Sequence, residues 1–109
     1  MIMKLPENIE GFIKAQNESD STAFASYFTE HATVSDEGSS YLGREEIKEW
    51  IQAATEKYNM QLTPVDFTQT GSKGKLTVEV SGTFPGSPAV MNYHLELDGS
   101  SIGSLKITD

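Results

Sequence analysis

The stretch from Phe24 to Ile51 reads FASYFTEHATVSDEGSSYLGREEIKEWI, and its periodicities decide the fold. It begins with the end of a helix carrying Phe24, Tyr27 and Phe28 inward. A short strand follows, in which Ala32, Val34 and Asp36 share one face because strand side chains alternate. The other face carries His31, Thr33 and Ser35, which suit water. A polar turn follows, then a long amphipathic helix opening at Gly43-Arg44-Glu45-Glu46. Asp36 is the acid whose position is costly: it follows Val34 on an apolar face, which directs it toward the interior or a pocket cut into it. A carboxyl placed there has its ionised form disfavoured, which predicts a pKa above the ordinary value of about 3.9. The competing reading makes Asp36 a cap on the strand end or the following turn, a position this residue type favours.

Working outward toward the N-terminus, Pro6 suits the start of a helix, with Glu7 and Glu10 complementing its dipole. Ile9, Phe12 and Ile13 form its buried stripe. Asn17 to Asp20 break the pattern, and Ser19 or Asp20 can cap the second, short helix. After Gly43 the residues Ile47, Trp50, Ile51, Ala54 and Tyr58 lie on one helical face. Trp50 on such a stripe is either a core residue or a pocket wall.

From Met60 the period changes from 3.6 to 2. Leu62, Val65 and Phe67 mark a strand with an irregularity at Pro64, which implies an edge position or a bulge. Leu76, Val78, Val80 and Phe84 alternate with polar residues on the next strand. Ala89, Met91, Tyr93, Leu95 and Leu97 do so on a third, and Asp98-Gly99 signals a hairpin. Ile102, Leu105 and Ile107 change phase, which predicts a bulge at Gly103 or Ser104. The expected order is helix, helix, short strand, helix and a four-stranded meander. The helices must cover the apolar sheet face, giving a single α+β domain over residues 1–109.

Composition excludes several chemistries. There is no cysteine, so neither disulfides nor thiolate catalysis is available, and the chain suits a reducing cytoplasm. A net charge of −8 repels nucleic-acid backbones and anionic membranes. No apolar run is long enough to span a bilayer. The two histidines, His31 and His94, fall on polar strand faces without metal-ligand spacing, so no metal and no cofactor are expected. No nucleophile elbow or phosphate loop occurs.

The order of elements, with Phe28, His31-Ala32-Thr33-Val34, Gly43-Arg44-Glu45-Glu46-Ile47 and Leu95-Glu96-Leu97-Asp98-Gly99, resembles the nuclear transport factor 2-like superfamily, and within it the SnoaL-like branch that includes polyketide cyclases. The resemblance covers nearly the whole chain. It implies a cone-shaped, curved, mostly antiparallel sheet wrapped on the N-terminal helices, with an internal pocket. Function does not follow from fold alone, since members include isomerases, dehydratases, cyclases and binding domains without chemistry. Similarity to the steroid isomerases places a general base at Asp36. It places Phe12 where those enzymes carry an oxyanion tyrosine, and Tyr93 where they carry a protonated acid. Tyr93 can donate the same hydrogen bond; Phe12 cannot.

Two functions are therefore expected. One is a cofactor-free isomerase, dehydratase or cyclase acting on a hydrophobic carbonyl compound, with Asp36 and Tyr93 catalytic. The other is a ligand-binding or dimerising domain without chemistry. Phe12, Tyr27, Tyr41, Trp50, Phe67 and Met91 are the candidate pocket walls. The resemblance also implies a homodimer through the outer sheet face, where Thr77, Glu79, Asn92 and His94 would lie.

Overall fold

Helix α1 (Glu7–Asn17) starts behind Pro6 and buries Ile9, Phe12, Ile13, Ala15 and Gln16. Helix α2 (Ser21–Ser26) is capped by Asp20, whose carboxylate accepts from the Ala23 N–H at 3.0 Å. Strand β1 (Phe28–Asp36) leads into β2 (Ser39–Leu42), then helix α3 (Gly43–Tyr58) and strands β3 (Gln61–Thr70), β4 (Lys73–Ser81), β5 (Ala89–Asp98) and β6 (Ser101–Thr108). This computed structural model describes residues 5–36 and 38–108.

The six strands form one sheet in the order β2-β1-β6-β5-β4-β3. The last four make the expected antiparallel meander. β1 lies parallel to β6, a pairing that periodicity alone does not reveal. The expected polar turn before α3 is instead a hairpin: β2 pairs antiparallel with β1, from Thr33 opposite Leu42 to Asp36 opposite Ser39. β2 is too short and polar to show a strand pattern in the sequence.

Both expected irregularities are present. On β3 the register shifts between Pro64 and Asp66, leaving Val65 as the extra residue. Val65 was expected inward; the bulge turns it outward, and it is 51% exposed. On β6 the shift leaves Gly103 extra, between Ile102 opposite Leu97 and Ser104 opposite Glu96. Phe84 lies beyond β4 rather than on it, in the connection to β5.

The helices cover one sheet face, and the core forms between them. Ile9 and Phe12 of α1, Phe24, Phe28 and Val34, Ile47 of α3, Leu76 and Val78 of β4, and Ile102 of β6 are fully buried. α3 is fixed at its start by Glu46, whose carboxylate accepts from the Leu42 N–H, and by Arg44, whose Nε donates to the Phe28 carbonyl. At the far side, Asn17 clasps the start of β3: its Nδ2 donates to the Leu62 carbonyl at 2.9 Å, and its Oδ1 accepts from the Leu62 N–H at 2.7 Å. Among the described residues no helix is long and apolar enough to cross a membrane.

Candidate functional site

The buried stripe of α1 continues past Phe12 and Ile13 to Gln16, which lies four and three residues further on the same face. An amide thereby enters the interior, and Gln16 is only 2% exposed. On β5 the alternation that buries Leu95 also buries Tyr93. On β1 the face that buries Ala32 and Val34 ends at half-buried Asp36. These three polar side chains, from three separate elements, line one cavity of about 370 Å³. Trp50, Ala54 and Tyr58 of α3 and Phe84 and Pro85 of the β4–β5 connection form apolar and aromatic walls. Met91 and Ile107 complete the sheet side.

The electrostatics follow from burial. The Tyr93 phenol is raised well above its ordinary pKa, chiefly because burial disfavours the phenolate, and secondly because of the Asp36 carboxylate's negative charge. Tyr93 is therefore a neutral hydroxyl at physiological pH and available as a donor. The Gln16 amide opposes these effects by favouring the ionised phenol. It lies near Tyr93, and among the described residues neither its Oε1 nor its Nε2 has a partner in hydrogen-bond geometry. An unsatisfied buried amide is costly and calls for an explanation.

Of the residues singled out from sequence, Asp36, Tyr93, Trp50 and Met91 meet at this cavity. Tyr41 stands outside it, stacked on Trp50 with ring centroids 5.5 Å apart, in a groove that adjoins the cavity. Phe12 is not a cavity wall: it is fully buried against Phe24, Phe28 and Tyr93. Tyr27 is not one either, because α2 ends just before it and its ring covers Gly11 on α1. Phe67 also lies elsewhere on the sheet, its ring packed over Gly74. The bulge at Val65 sets its phase, but strand alternation does not say where along the sheet a cavity opens.

Gln16 and Phe84 are among the lining residues not singled out from sequence, and Tyr58, a possible donor that the sequence favours as a core or rim aromatic, also lines the cavity. Gln16 had a signal: a polar residue three and four places after two core residues on a helix. His31 is exposed, and the exposed His94 ring bonds to Thr108 Oγ1 at 3.0 Å. Among the described residues no cluster of three or more His, Cys, Asp or Glu could hold a metal.

One carboxylate, a neutral phenol and a neutral amide thus share a half-enclosed, largely apolar cavity in an α+β fold. Residues 9–101 match the SnoaL-like domain, and the chain belongs to that family. Its fold is also that of nuclear transport factor 2-like and cystatin-fold proteins.

The structure is similar to that of a Sinorhizobium meliloti protein assigned as a polyketide cyclase, with 31% identity, a TM-score of 0.91 and 95% of each chain covered. It is similar to a Catenulispora acidiphila protein of ketosteroid isomerase-like fold in complex with trimethylamine (23% identity, TM-score 0.85, 97% of this chain and 87% of that one). It also resembles SalBIII, an epoxide hydrolase/cyclase-like enzyme of pyran ring formation in salinomycin (18% identity, TM-score 0.77, 93% and 86% covered). No curated protein sequence matches the chain significantly.

Proposed function

We propose that the cavity binds a small hydrophobic carbonyl compound and catalyses a cofactor-free isomerisation, dehydration or cyclisation, with Asp36 as general base. The observation that carries this reading is the orphaned Gln16 amide, buried beside a neutral phenol and a carboxylate in an otherwise apolar cavity. A ligand carbonyl would satisfy the Gln16 Nε2 donor, which no group of the described residues does.

The chemistry follows from the three groups. The Asp36 carboxylate takes a proton from carbon next to the carbonyl, and the electron pair moves onto the carbonyl oxygen. Tyr93 O–H and Gln16 Nε2–H stabilise the resulting enolate by donating to that oxygen. Asp36 then returns the proton to another carbon of the enolate, or gives it to a β-hydroxyl that leaves as water. Alternatively, the enolate carbon attacks a second carbonyl whose C–O π electrons go to its oxygen, which takes the proton from Asp36. The apolar walls limit water around the charges, which strengthens these contacts.

Exchange of α-hydrogens in deuterated water, followed by proton NMR on simple cyclic ketones, tests the proposal. The wild type should exchange them. Asp36→Asn should lose the acceleration, which for a positioned base is on the order of 10²–10⁴-fold. Binding without exchange in the wild type would instead mark a ligand-binding domain without chemistry.

A further inference from the structure

The surface beside the cavity is not neutral. Asp36, Trp50, Ala54 and Tyr58 line both the cavity and an outer groove of about 640 Å³, so the groove adjoins the cavity. Glu46 and Glu49 stand on the groove's α3 side, one turn apart from Trp50 and Ala53. Among the described residues, the groove gathers three carboxylates, from Asp36, Glu46 and Glu49, and one ammonium, that of Lys57. That ammonium already sits over the Tyr58 ring, 5.1 Å from its centroid. Glu46 is held in place by the Leu42 N–H. The Tyr41–Trp50 stack supplies further aromatic surface beside the acids.

We propose that the ligand of this site is cationic: a compound whose apolar carbonyl end enters the cavity and whose ammonium group stays in the adjoining groove, among Asp36, Glu46 and Glu49 and against Trp50 and Tyr41. The proposal rests on the carbonyl reading above and adds the charge of the substrate. Two independent observations meet in it. Inside, the unpartnered Gln16 amide requires a polar ligand atom. Outside, the carboxylates and rings are the two kinds of group that hold an organic cation. An anionic ligand would meet three carboxylates on a chain whose net charge is already −8. Among the described residues the inner lining contributes no basic side chain to receive it.

Two ketones of one shape test this: 4-(trimethylammonio)cyclohexanone and the neutral 4-tert-butylcyclohexanone. Trp50, the single tryptophan of the chain, reports binding of either by its fluorescence. The cationic ketone should bind tighter, on the order of tenfold at low ionic strength. The ratio should shrink as salt is added. The double variant Glu46→Gln, Glu49→Gln should narrow it further. Equal affinities, or a preference for the neutral ketone, would overturn the cationic assignment and leave the carbonyl pocket standing. An unchanged ratio in the double variant would overturn the role given to the two glutamates. Binding of neither ketone would overturn both readings.

Discussion

Phe12 and Gln16 are stacked one helical turn apart on α1, and they meet different surroundings. Phe12 closes the aromatic core, while Gln16 presents an unpaired amide to the cavity. The hydrogen-bonding group that this helix brings to the site is displaced by one turn from the place that similarity to steroid isomerases indicated.

An amide kept unpaired in the interior costs stability, about 1–3 kcal/mol for the lost hydrogen bonds. Gln16→Leu keeps the helix and most of the volume and removes both unpaired atoms. Its urea midpoint should rise, while affinity for ketones falls. A lower midpoint would show that the amide is satisfied in solution and is not held for a ligand.

The raised Tyr93 pKa gives stability a pH dependence of known sign. The unfolded phenol ionises near its ordinary value of about 10, whereas the folded phenol resists ionisation. This group's contribution is therefore fully present below the unfolded pKa and is lost as pH rises from there through the folded one. Urea midpoints of the wild type should fall between pH 8 and about pH 10.5, and Tyr93→Phe should fall less. Asp36→Asn removes only the lesser cause and should follow the wild type over this window, because burial still keeps the folded phenol neutral. Parallel losses in all three proteins would contradict the assignment.

Asn17 replaces a missing strand neighbour at the sheet edge by bonding both the N–H and the carbonyl of Leu62. Asn17→Ala leaves both groups unpaired, at a cost of about 1–3 kcal/mol. Hydrogen exchange should quicken at Leu62 while β4 and β5 remain protected. Unchanged exchange at Leu62 would show that water replaces the side chain without penalty.

Gly82 is set by close approach. A Cβ there would collide with the Tyr58 carbonyl oxygen, the acceptor for the Thr83 N–H at 2.7 Å. Gly82→Ala should destabilise by about 1–3 kcal/mol, as overpacking does, and displace the connection carrying Phe84 and Pro85. Ketone binding should weaken with it. A full-affinity Gly82→Ala protein would show that this rim takes no part in binding.

The outer sheet face is proposed as a homodimer contact. Lys75, His94 and Lys106 lie directly opposite one another across β4, β5 and β6, beside the bonded Thr77 and Asn92. Each copy carries a net charge of −8, so two copies repel one another and light scattering should show more dimer as salt screens the repulsion. A monomer at tens of micromolar protein in both low and high salt would remove the proposal.

Much of this architecture is legible in the sequence because burial imposes a period. The stripes of α1 and α3, the alternation on β4 and β5, the edge proline of β3 and the phase change at Gly103 all have a local cause. β2 does not, since four residues at an edge bury too little to leave a pattern. Nor does the site. Tyr27 and Phe67 have the composition of pocket walls, but which end of the sheet opens depends on where α3 and the residue 82–88 connection come to rest. Gln16 breaks an apolar stripe, and this polar exception marks the α1 side of the cavity, where the aromatic Phe12 does not reach.

The parallel pairing of β1 with β6 ties the first strand to the last, across some seventy intervening residues. During synthesis the β1–β2 hairpin that carries Asp36 emerges early and then waits, its inner edge unpaired, until the final strand arrives. The carboxylate side of the cavity is thus completed last. A nascent chain halted before Ser101 would expose that edge to other chains, and aggregation rather than a partly working site is its expected fate.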